Sequence, residues 1–355
     1  MRHNNAAKNK TDDLPDYTKY IGKKVLFIVA CAAGLVALFF VATAIGSSNL
    51  SLSEVIAQIS SQSGIAWSIR LPRVLVAVIA GGMLAVTGAV MQCLLKNPLS
   101  EPYTLGISHA AAFGAAFAIM FLGAGAMFSS SRDAVVVSNP YTVTLCAFLF
   151  SLISTGIVLA LTRLTKISPE SIILSGVVIG SIFTAARTAL QYFANDVQLA
   201  SMVYWTFGDL SRITWDNLTL ITVVSLPVIV YFIYNRWTYN SINAGVDTAK
   251  SLGVNVDRHI TVGMMLSSLV AALIVSLMGV IGFVGLLAPH MVRRVIGSDH
   301  RFVIPASAVL GALILVLSDT VGRTLISPLI LPVGIVTSFL GGPLFLILLV
   351  RGYKK

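Results

Sequence analysis

The sequence predicts an all-α membrane protein with about ten transmembrane helices. Hydrophobic residues make up 56% of the 355-residue chain and charged residues only 11%, whereas a soluble globular protein carries about 25% charged residues. Apolar stretches of about 20 residues recur along the chain, which is the length that an α-helix needs to cross ~30 Å of hydrocarbon. These stretches lack the polar–apolar alternation of a membrane-spanning barrel, so we expect helices.

Ten apolar stretches make up the predicted bundle. They lie at about 25–45, 71–93, 104–123, 141–162, 170–191, 217–235, 259–278, 284–296, 305–323 and 332–350. The eighth is short and follows a break that contains Gly279 and Gly282. Together they form a single transmembrane domain at residues 21–355. A polar leader at residues 1–20 precedes this domain, and we expect it to be disordered.

The first apolar stretch has to be weighed against a cleaved signal peptide. It is longer than a typical signal-peptide core, and no clear small-residue cleavage site precedes the next polar segment. We therefore interpret it as a retained first helix. The polar segment that follows, Ser47 to Arg70, has apolar residues at helical spacing and predicts a short helix on the outer surface.

The distribution of basic residues predicts the orientation of the bundle. If the N-terminus is cytoplasmic and the spans alternate, the cytoplasmic segments hold all ten lysines and eight of the fourteen arginines, 18 of the 24 basic residues. This agrees with the positive-inside rule, so we expect a cytoplasmic (inner) membrane protein with both termini in the cytoplasm. The net charge of +10 follows from the same bias and requires no nucleic-acid partner.

The sequence contains no motif for catalysis or for holding a cofactor. It lacks a GxxxxGK[ST] phosphate-binding loop, so we expect no ATP hydrolysis by this chain, and it lacks an HExxH zinc motif. The three cysteines form no CxxC pair, and the five histidines are scattered. We therefore expect no catalytic residue, no bound metal and no cofactor, and an intramembrane enzyme is disfavoured.

The segment between the sixth and seventh spans is a candidate contact with a cytoplasmic partner. Its middle, at about 244–255, is predicted to be helical and to end at Gly253, a residue that suits the positive φ of a helix C-terminus. A short surface helix of small residues can fit into a cleft on a soluble protein. Composition alone supports an ordinary connecting loop equally well.

Three arginines lie near the predicted outer ends of the spans, against the positive-inside trend. Arg70 and Arg73 flank the start of the second span, and Arg323 follows Asp319 by four residues, a spacing that allows an ion pair within one helix. Snorkelling to lipid headgroups and pairing with the carboxylates of a docking protein both explain this placement.

Small residues crowd the second span, where Gly81, Gly82, Ala85, Gly88 and Ala89 recur within nine positions. We interpret them as sites of close helix packing, in preference to flexible points that line a pathway. The centres of the spans lack acidic residues, which disfavours an ion-coupled secondary transporter, the alternative from a different functional class.

Four motifs in this order resemble the permease family that imports iron-siderophores, haem and cobalamin, the cobalamin-permease type of ABC importer. Arg70-Leu71-Pro72-Arg73 resembles its RLPR motif, and Gly88 to Gln92 with Asn97 to Pro102 resembles GxxxQ…NPLAxP. Gly282 to Arg293 resembles GFxGLxxPHxxR, and Leu331 to Thr337 with Gly341-Gly342-Pro343 resembles the final span. Departures are small; His109 stands where glycine or asparagine is frequent.

The resemblance implies a type II importer bundle of ten spans that pairs with a second permease subunit, in a homodimer or with a close paralogue. It implies two cytosolic ATPase subunits, which use ATP and Mg, and an extracytoplasmic binding protein docked on Arg70, Arg73 and Arg323. The implied coupling residues are Ala244, Gly245, Asp247, Thr248, Ala249, Leu252 and Gly253. Those implied for the translocation path and its structural motifs are Gly88, Gln92, Asn97, Pro98, Gly106, His109, Gly285, Pro289, His290, Arg293, Pro332 and Gly334. The expected cargo is an iron-siderophore or related iron chelate, with cobalamin or haem as alternatives.

Overall fold

The structure is a computed structural model that describes residues 17–46, 50–126, 136–137, 139–165, 169–326 and 329–352. The described part contains fourteen α-helices. They are α1 (Tyr17–Ala44), α2 (Leu52–Ser60), α3 (Leu71–Leu94), α4 (Ile107–Phe121), α5 (Pro140–Thr165), α6 (Pro169–Phe193), α7 (Asp196–Thr206), α8 (Trp215–Tyr234), α9 (Arg236–Ala244), α10 (Val246–Ser251), α11 (Val256–Met278), α12 (Val284–Ile296), α13 (His300–Thr324) and α14 (Val333–Gly352). Two paired two-residue strands, β1 (Gly125–Ala126) and β2 (Val136–Val137), are the β-structure elements of the described part.

The predicted all-α membrane fold is confirmed, because a helix occupies each of the ten predicted spans. Within the described residues, seven helices are long and apolar enough to cross a membrane: α1, α3, α5, α6, α8, α11 and α13. The shorter apolar helices are Ile107–Phe121 and Val333–Ile347, and α12 has 13 residues. A 13-residue helix rises only about 20 Å. The predicted eighth span is therefore too short to cross the hydrocarbon as a straight helix.

Local breaks explain why α4 and α12 are short. Before α4, Pro102 opens a 3₁₀ turn and Gly106 adopts a left-handed conformation with φ of 78°. Between α11 and α12, Gly279 has φ of 77°, and Phe283 at the start of α12 has φ of 67°. The predicted break between the seventh and eighth spans is confirmed, since α11 ends at Met278 and α12 begins at Val284.

The centre of the bundle is α3, whose apolar window is 83% buried. It packs against α8, α11, α12 and α13. A Cβ atom on Gly81 would lie 2.5 Å from the carbonyl oxygen of Gly311 in α13, so only glycine allows these two backbones to approach so closely. The predicted role of the small residues of the second span in close packing is confirmed at this crossing.

The outer layer of the single chain is formed by α1 and α6, whose apolar windows are 6% and 22% buried. α1 begins at Tyr17, within the last four residues that the sequence assigned to the leader; residues 1–16 lie outside the described part. The apolar faces of these helices require lipid or another subunit as their surroundings.

The short helix predicted after the first span is confirmed as α2. Ser51 accepts a hydrogen bond from the backbone of Glu54, and the Glu54 carboxylate accepts one from the backbone of Ser51, a complete capping box. This backbone hydrogen bond, together with one from the Ser51 hydroxyl, lowers the pKa of Glu54. Residues 47–49 of the predicted segment lie outside the described part.

Candidate functional site

The outer arginines form a buried cluster with carboxylates of their own chain. Nε of Arg73 donates to Oδ1 of Asp319 at 2.8 Å, and Nε of Arg323 lies 3.0 Å from Oδ2 of the same residue. Arg73 also lies 3.9 Å from Asp209, at the turn after α7. One carboxylate of α13 therefore pairs with two guanidiniums, and the predicted ion pair between Arg323 and Asp319 is confirmed.

The same arginines bind the free carbonyls at the end of α1. Arg70 donates to the carbonyl oxygens of Thr43 and Ala44 at 3.1 and 2.7 Å. Arg323 donates to those of Ala42 and Ile45 at 2.9 and 3.0 Å. The last turn of a helix leaves its carbonyls without intrahelical partners, and cations there also complement the helix dipole. The cluster therefore joins the C-terminal ends of α1 and α13 to the N-terminal end of α3.

This geometry bears on the predicted docking role. The side chains of Arg70, Arg73 and Arg323 are only 4%, 4% and 5% exposed in the single chain. Each makes contacts inside the chain, so neither snorkelling nor direct pairing with a partner is needed to explain its position. The docking of a binding protein on these residues stays a prediction.

The motif residues of α3 and α12 meet at a close crossing. A Cβ atom on Gly88 would lie 1.8 Å from the carbonyl oxygen of Gly285, and Nε2 of Gln92 donates to that same oxygen at 3.3 Å. The Glu101 carboxylate also borders this crossing, 3.0 Å from where a Cβ on Gly285 would stand. Its surroundings bury it and raise its pKa to about 7. Glu101 belongs to the motif from Asn97 to Pro102, but its burial at this crossing could not be predicted from the sequence.

A second crossing joins the start of α4 to α6. A Cβ atom on Gly176 would lie 2.0 Å from the carbonyl oxygen of Thr104, and one on Gly106 would lie 3.1 Å from that of Gly176. His109, in the first turn of α4, is exposed and contacts Thr184 of α6. Gly176 and Gly180 were missed from the sequence, although their spacing of four is typical of close contacts between membrane helices.

A third crossing surrounds the break between α11 and α12. A Cβ atom on Gly334 would lie 2.5 Å from the carbonyl oxygen of Val280, and one on Gly208 would lie 2.3 Å from the same atom. A Cβ atom on Gly279 would lie 2.5 Å from the carbonyl oxygen of Trp205. The start of α14 is thereby locked against the break, and Pro332 directly precedes α14.

The remaining motif residues lie apart from these crossings. The side chain of Asn97 accepts from the backbone of Leu99 at 2.8 Å in a turn after α3, which leaves Pro98 and Leu99 exposed. In α12, Pro289 is buried and the His290 ring lies 5.9 Å from that of Phe345. Arg293 is partly buried, and its Nη2 has no hydrogen-bond partner within the described residues.

The candidate coupling segment is a helix with a complete C-terminal cap. Gly253 has φ of 79° and donates to the carbonyl of Lys250 at 3.0 Å, and Val254 donates to that of Ala249 at 3.0 Å. These two hydrogen bonds define a Schellman motif. The predicted helix is α10, and its predicted end at Gly253 is confirmed. α10 itself spans only Val246–Ser251, which is shorter than the predicted 244–255.

Exposure divides the residues predicted for coupling. Ala244, Asp247, Thr248, Leu252 and Gly253 are exposed, Gly245 is half-buried with φ of 154°, and Ala249 is buried. Leu252 is 67% exposed, so its apolar side chain is open to contact by another molecule. Ala249 is buried and supports α10 from within the chain, so only the exposed residues of this segment are accessible.

Comparison with known proteins identifies the family to which this architecture belongs. Residues 34–351 match the model of the FecCD transport family. The chain belongs to the FecCD transport family. It is therefore a multi-span permease of the ABC-importer type, and the resemblance inferred from the four motifs is confirmed.

Individual members give the range of functions among relatives. A Methanocaldococcus jannaschii chain named "Putative ABC transporter permease protein MJ0087" is 47% identical over 97% of this chain and 99% of its own. The hemin transport permease HmuU of Yersinia pestis is 36% identical, with coverage of 90% and 95%. The vitamin B12 import permease BtuC of Vibrio cholerae is 33% identical, with coverage of 86% and 89%.

A solved structure gives the same architecture. It is described as "an inward-facing conformation of a putative metal-chelate type ABC transporter", and it matches 91% of this chain and 98% of its own with a TM-score of 0.79 at 29% identity. The family, the fold and the ABC transporter class are therefore shown. The haem and vitamin B12 relatives differ in cargo, so the cargo of this chain is a separate question.

Proposed function

We propose that this chain is the permease subunit of an ATP-driven importer for an iron-siderophore or a related metal chelate, with haem and cobalamin as the alternative cargoes. The observation that carries the proposal is the capped, exposed helix α10 beside a bundle of close glycine crossings. α10 offers a rigid surface to a soluble protein, and we propose that such a protein shifts the helices that meet at the α3–α12 and α4–α6 crossings.

The proposed assembly contains a second permease subunit and two cytosolic ATPase subunits, which bind ATP and Mg and contact α10. ATP hydrolysis belongs to those subunits and not to this chain. In the proposed orientation, α10 and both termini lie in the cytoplasm. This orientation puts all ten lysines on the cytoplasmic side, as the positive-inside rule requires. The exposed apolar faces of α6 supply surface for the second permease subunit and for membrane lipid.

We further propose that an extracytoplasmic binding protein docks over the outer arginine cluster. Its three guanidiniums outnumber the two carboxylates of Asp209 and Asp319, so the cluster has a surplus positive charge. That charge attracts acidic side chains of a partner, while the arginines keep their contacts within the chain. Docking then depends on the electrostatic field of the cluster.

The test of cargo is uptake by the assembled transporter in liposomes. The chain is reconstituted with its ATPase and binding protein, and labelled ferric siderophore, haem and cobalamin are offered separately with ATP. Accumulation of one of them identifies the cargo. Absence of accumulation of all three, in vesicles whose ATPase is active, would contradict the proposed function.

A further inference from the structure

Glu101 places a carboxyl group beside the close crossing of α3 and α12. A Cβ atom on Gly285 would lie 3.0 Å from Oε2 of Glu101 and 2.9 Å from the carbonyl oxygen of Leu84, so both oxygens border one point. Leu84 precedes the end of α3 at Leu94 by ten residues, which is about 15 Å along a helix. The segment 97–102 therefore returns alongside α3 and brings an acidic group level with the middle of that helix.

This carboxyl group has no counter-charge within the described residues. The acidic partners of the ion pairs found there are Asp209, Asp299 and Asp319. A carboxylate that leaves water without a cation beside it is costly, so such surroundings favour the neutral, protonated form. Burial accordingly raises the pKa of Glu101 to about 7. The residue is nevertheless only half-buried, so a proton can reach it.

The crossing also has an acceptor that lacks a donor. Nε2 of Gln92 lies 3.3 and 3.5 Å from the carbonyl oxygens of Gly285 and Leu286, which fixes Oε1 as the other end of the amide. Oε1 is buried, and it has no hydrogen-bond partner within the described residues. A protonated Glu101 brings one donor to this acceptor-rich crossing, whereas an ionised Glu101 brings only further acceptors.

The other ionisable groups around this segment do not pair with Glu101. Burial and the charge of Glu101 raise the pKa of Tyr103, so its phenol stays neutral near pH 7. Burial alone accounts for the raised pKa of Glu101, and no charge of a neighbouring helix contributes to it within the described residues. The remaining ionisable side chains of α3, α4 and α12 are Arg73, Cys93, His109, His290, Arg293 and Arg294.

We propose that Glu101 is a proton-binding site and that its proton holds α12 against α3. With the proton bound, the crossing stays packed through Gly88, Gly285 and Gln92. When the carboxyl O–H bond breaks, the proton passes to water and leaves a carboxylate that only water can stabilise. α12 then moves away from α3 and the site becomes hydrated. This inference goes beyond the proposed function, because it requires neither cargo nor ATPase.

The proton makes the packing of α12 depend on pH. In a hydrated, open arrangement the carboxyl group has its ordinary pKa of 4.5, whereas in the packed arrangement its pKa is about 7. Between these values the packed arrangement binds more protons than the open one. Its stability relative to the open arrangement is therefore greatest at low pH and is lost as the pH rises through about 7.

Infrared spectroscopy of the full-length chain in lipid nanodiscs tests whether Glu101 carries the proton. We expect a C=O band of a protonated carboxyl group that disappears with a midpoint near pH 7. The band should be lost in Glu101→Gln and kept in Glu54→Gln, a change in an exposed carboxylate of α2. A wild-type chain without such a band would overturn the inference, even if Glu101→Gln failed to fold.

Hydrogen exchange tests the connection to the crossing. In the wild type, the protection of the α12 amides, corrected for the intrinsic pH dependence of exchange, should fall roughly 10-fold or more between about pH 5.5 and pH 8. Glu101→Gln is neutral at both pH values and should show equal protection, while Glu54→Gln should follow the wild type. A fall that persists in Glu101→Gln would assign it to another group, such as His290, and would overturn the inference. ATP-driven uptake of a labelled chelate would in that case leave the proposed function intact.

Discussion

The arginine cluster and helix α10 have opposite accessibilities, although the sequence offered both as candidate docking surfaces. Arg73 is 4% exposed and ion-paired with Asp319, which is itself 2% exposed. Leu252, directly after α10, is 67% exposed and follows a helix that is capped by its own backbone. The cluster therefore acts first on the stability of the fold, while α10 has a free surface for a partner.

The difference shows that a charged residue does not reveal its partner in the sequence, whereas a glycine that ends a helix can be recognised from its neighbours. A charged side chain in a membrane protein pairs wherever a counter-charge is nearest, and Asp319 lies 246 residues from Arg73 in the chain. The end of a short capped helix depends on local residues, since Gly253 ends α10 and the cap satisfies its carbonyls.

The largest effect is expected from Asp319→Asn. The change leaves the guanidiniums of Arg73 and Arg323 buried without their counter-charge, and breaking one partner of a buried ion pair costs about 3–5 kcal/mol. Thermal unfolding of the purified permease in detergent should show a clearly lower midpoint. Asp257→Asn, an exposed carboxylate in the first turn of α11, is the control and should unfold like the wild type. Equal midpoints for the two variants would show that the cluster does not stabilise the fold.

Leu252→Asp should separate assembly from stability. Because Leu252 is exposed in the single chain, we expect the free energy of unfolding to stay within about 0.5 kcal/mol of the wild type. Binding of the ATPase subunits and ATP-driven uptake should be lost, because a charge replaces the apolar contact. Leu252→Met retains that contact and should behave like the wild type in both measurements. Normal ATPase binding by Leu252→Asp would remove α10 from the interface.

Gly253→Ala should have a smaller, local effect. At φ of 79° an alanine is strained by about 1 kcal/mol, and there are no neighbouring atoms for its Cβ to clash with. Hydrogen exchange of the α10 amides should accelerate, with little change elsewhere. Gly156→Ala is the matched control, because Gly156 lies within α5, also without close neighbours, at a helical φ. Slowed or unchanged exchange in α10 of Gly253→Ala would contradict the cap.

The smallest effect is expected at the partly exposed ion pair of Asp299 and Arg301. Burial alone would raise the pKa of Asp299, but hydrogen bonds from Arg301 and Asn240 outweigh it and lower the pKa to about 2. A lowered carboxyl pKa gives stability above its unfolded value of 3.8 that is lost as pH falls towards about 2. Unfolding midpoints between these pH values should fall slightly more for the wild type than for Asp299→Asn. Identical pH profiles would show that the pair contributes nothing.

The sequence predicted the helices, their order and the break before α12, because length, apolar composition and glycine placement are local properties. It also predicted the packing role of glycines in α3, since small residues in membrane helices bring backbones together. It could not predict which glycine meets which carbonyl, as with Gly88 and Gly285, because that depends on the relative rotation of two helices.

In the candidate sites, too, contacts within one helix could be predicted from the sequence and contacts between distant helices could not. The ion pair of Arg323 with Asp319 was readable from a spacing of four residues, whereas the contact of Arg73 with the same carboxylate was not. Thr184 carried no motif, and only the packing of α4 on α6 places it beside His109. Residues that act through long-range contacts therefore became visible only in the folded chain.

The dependence of import on a cytosolic ATPase is the property on which the proposed function rests. It is tested most directly in proteoliposomes that contain the chain, its ATPase and its binding protein, with ion gradients collapsed. We expect accumulation of the labelled chelate only when hydrolysable ATP is supplied on the side of α10. Accumulation that follows an imposed ion gradient in the absence of ATP would contradict it and would favour an ion-coupled secondary transporter.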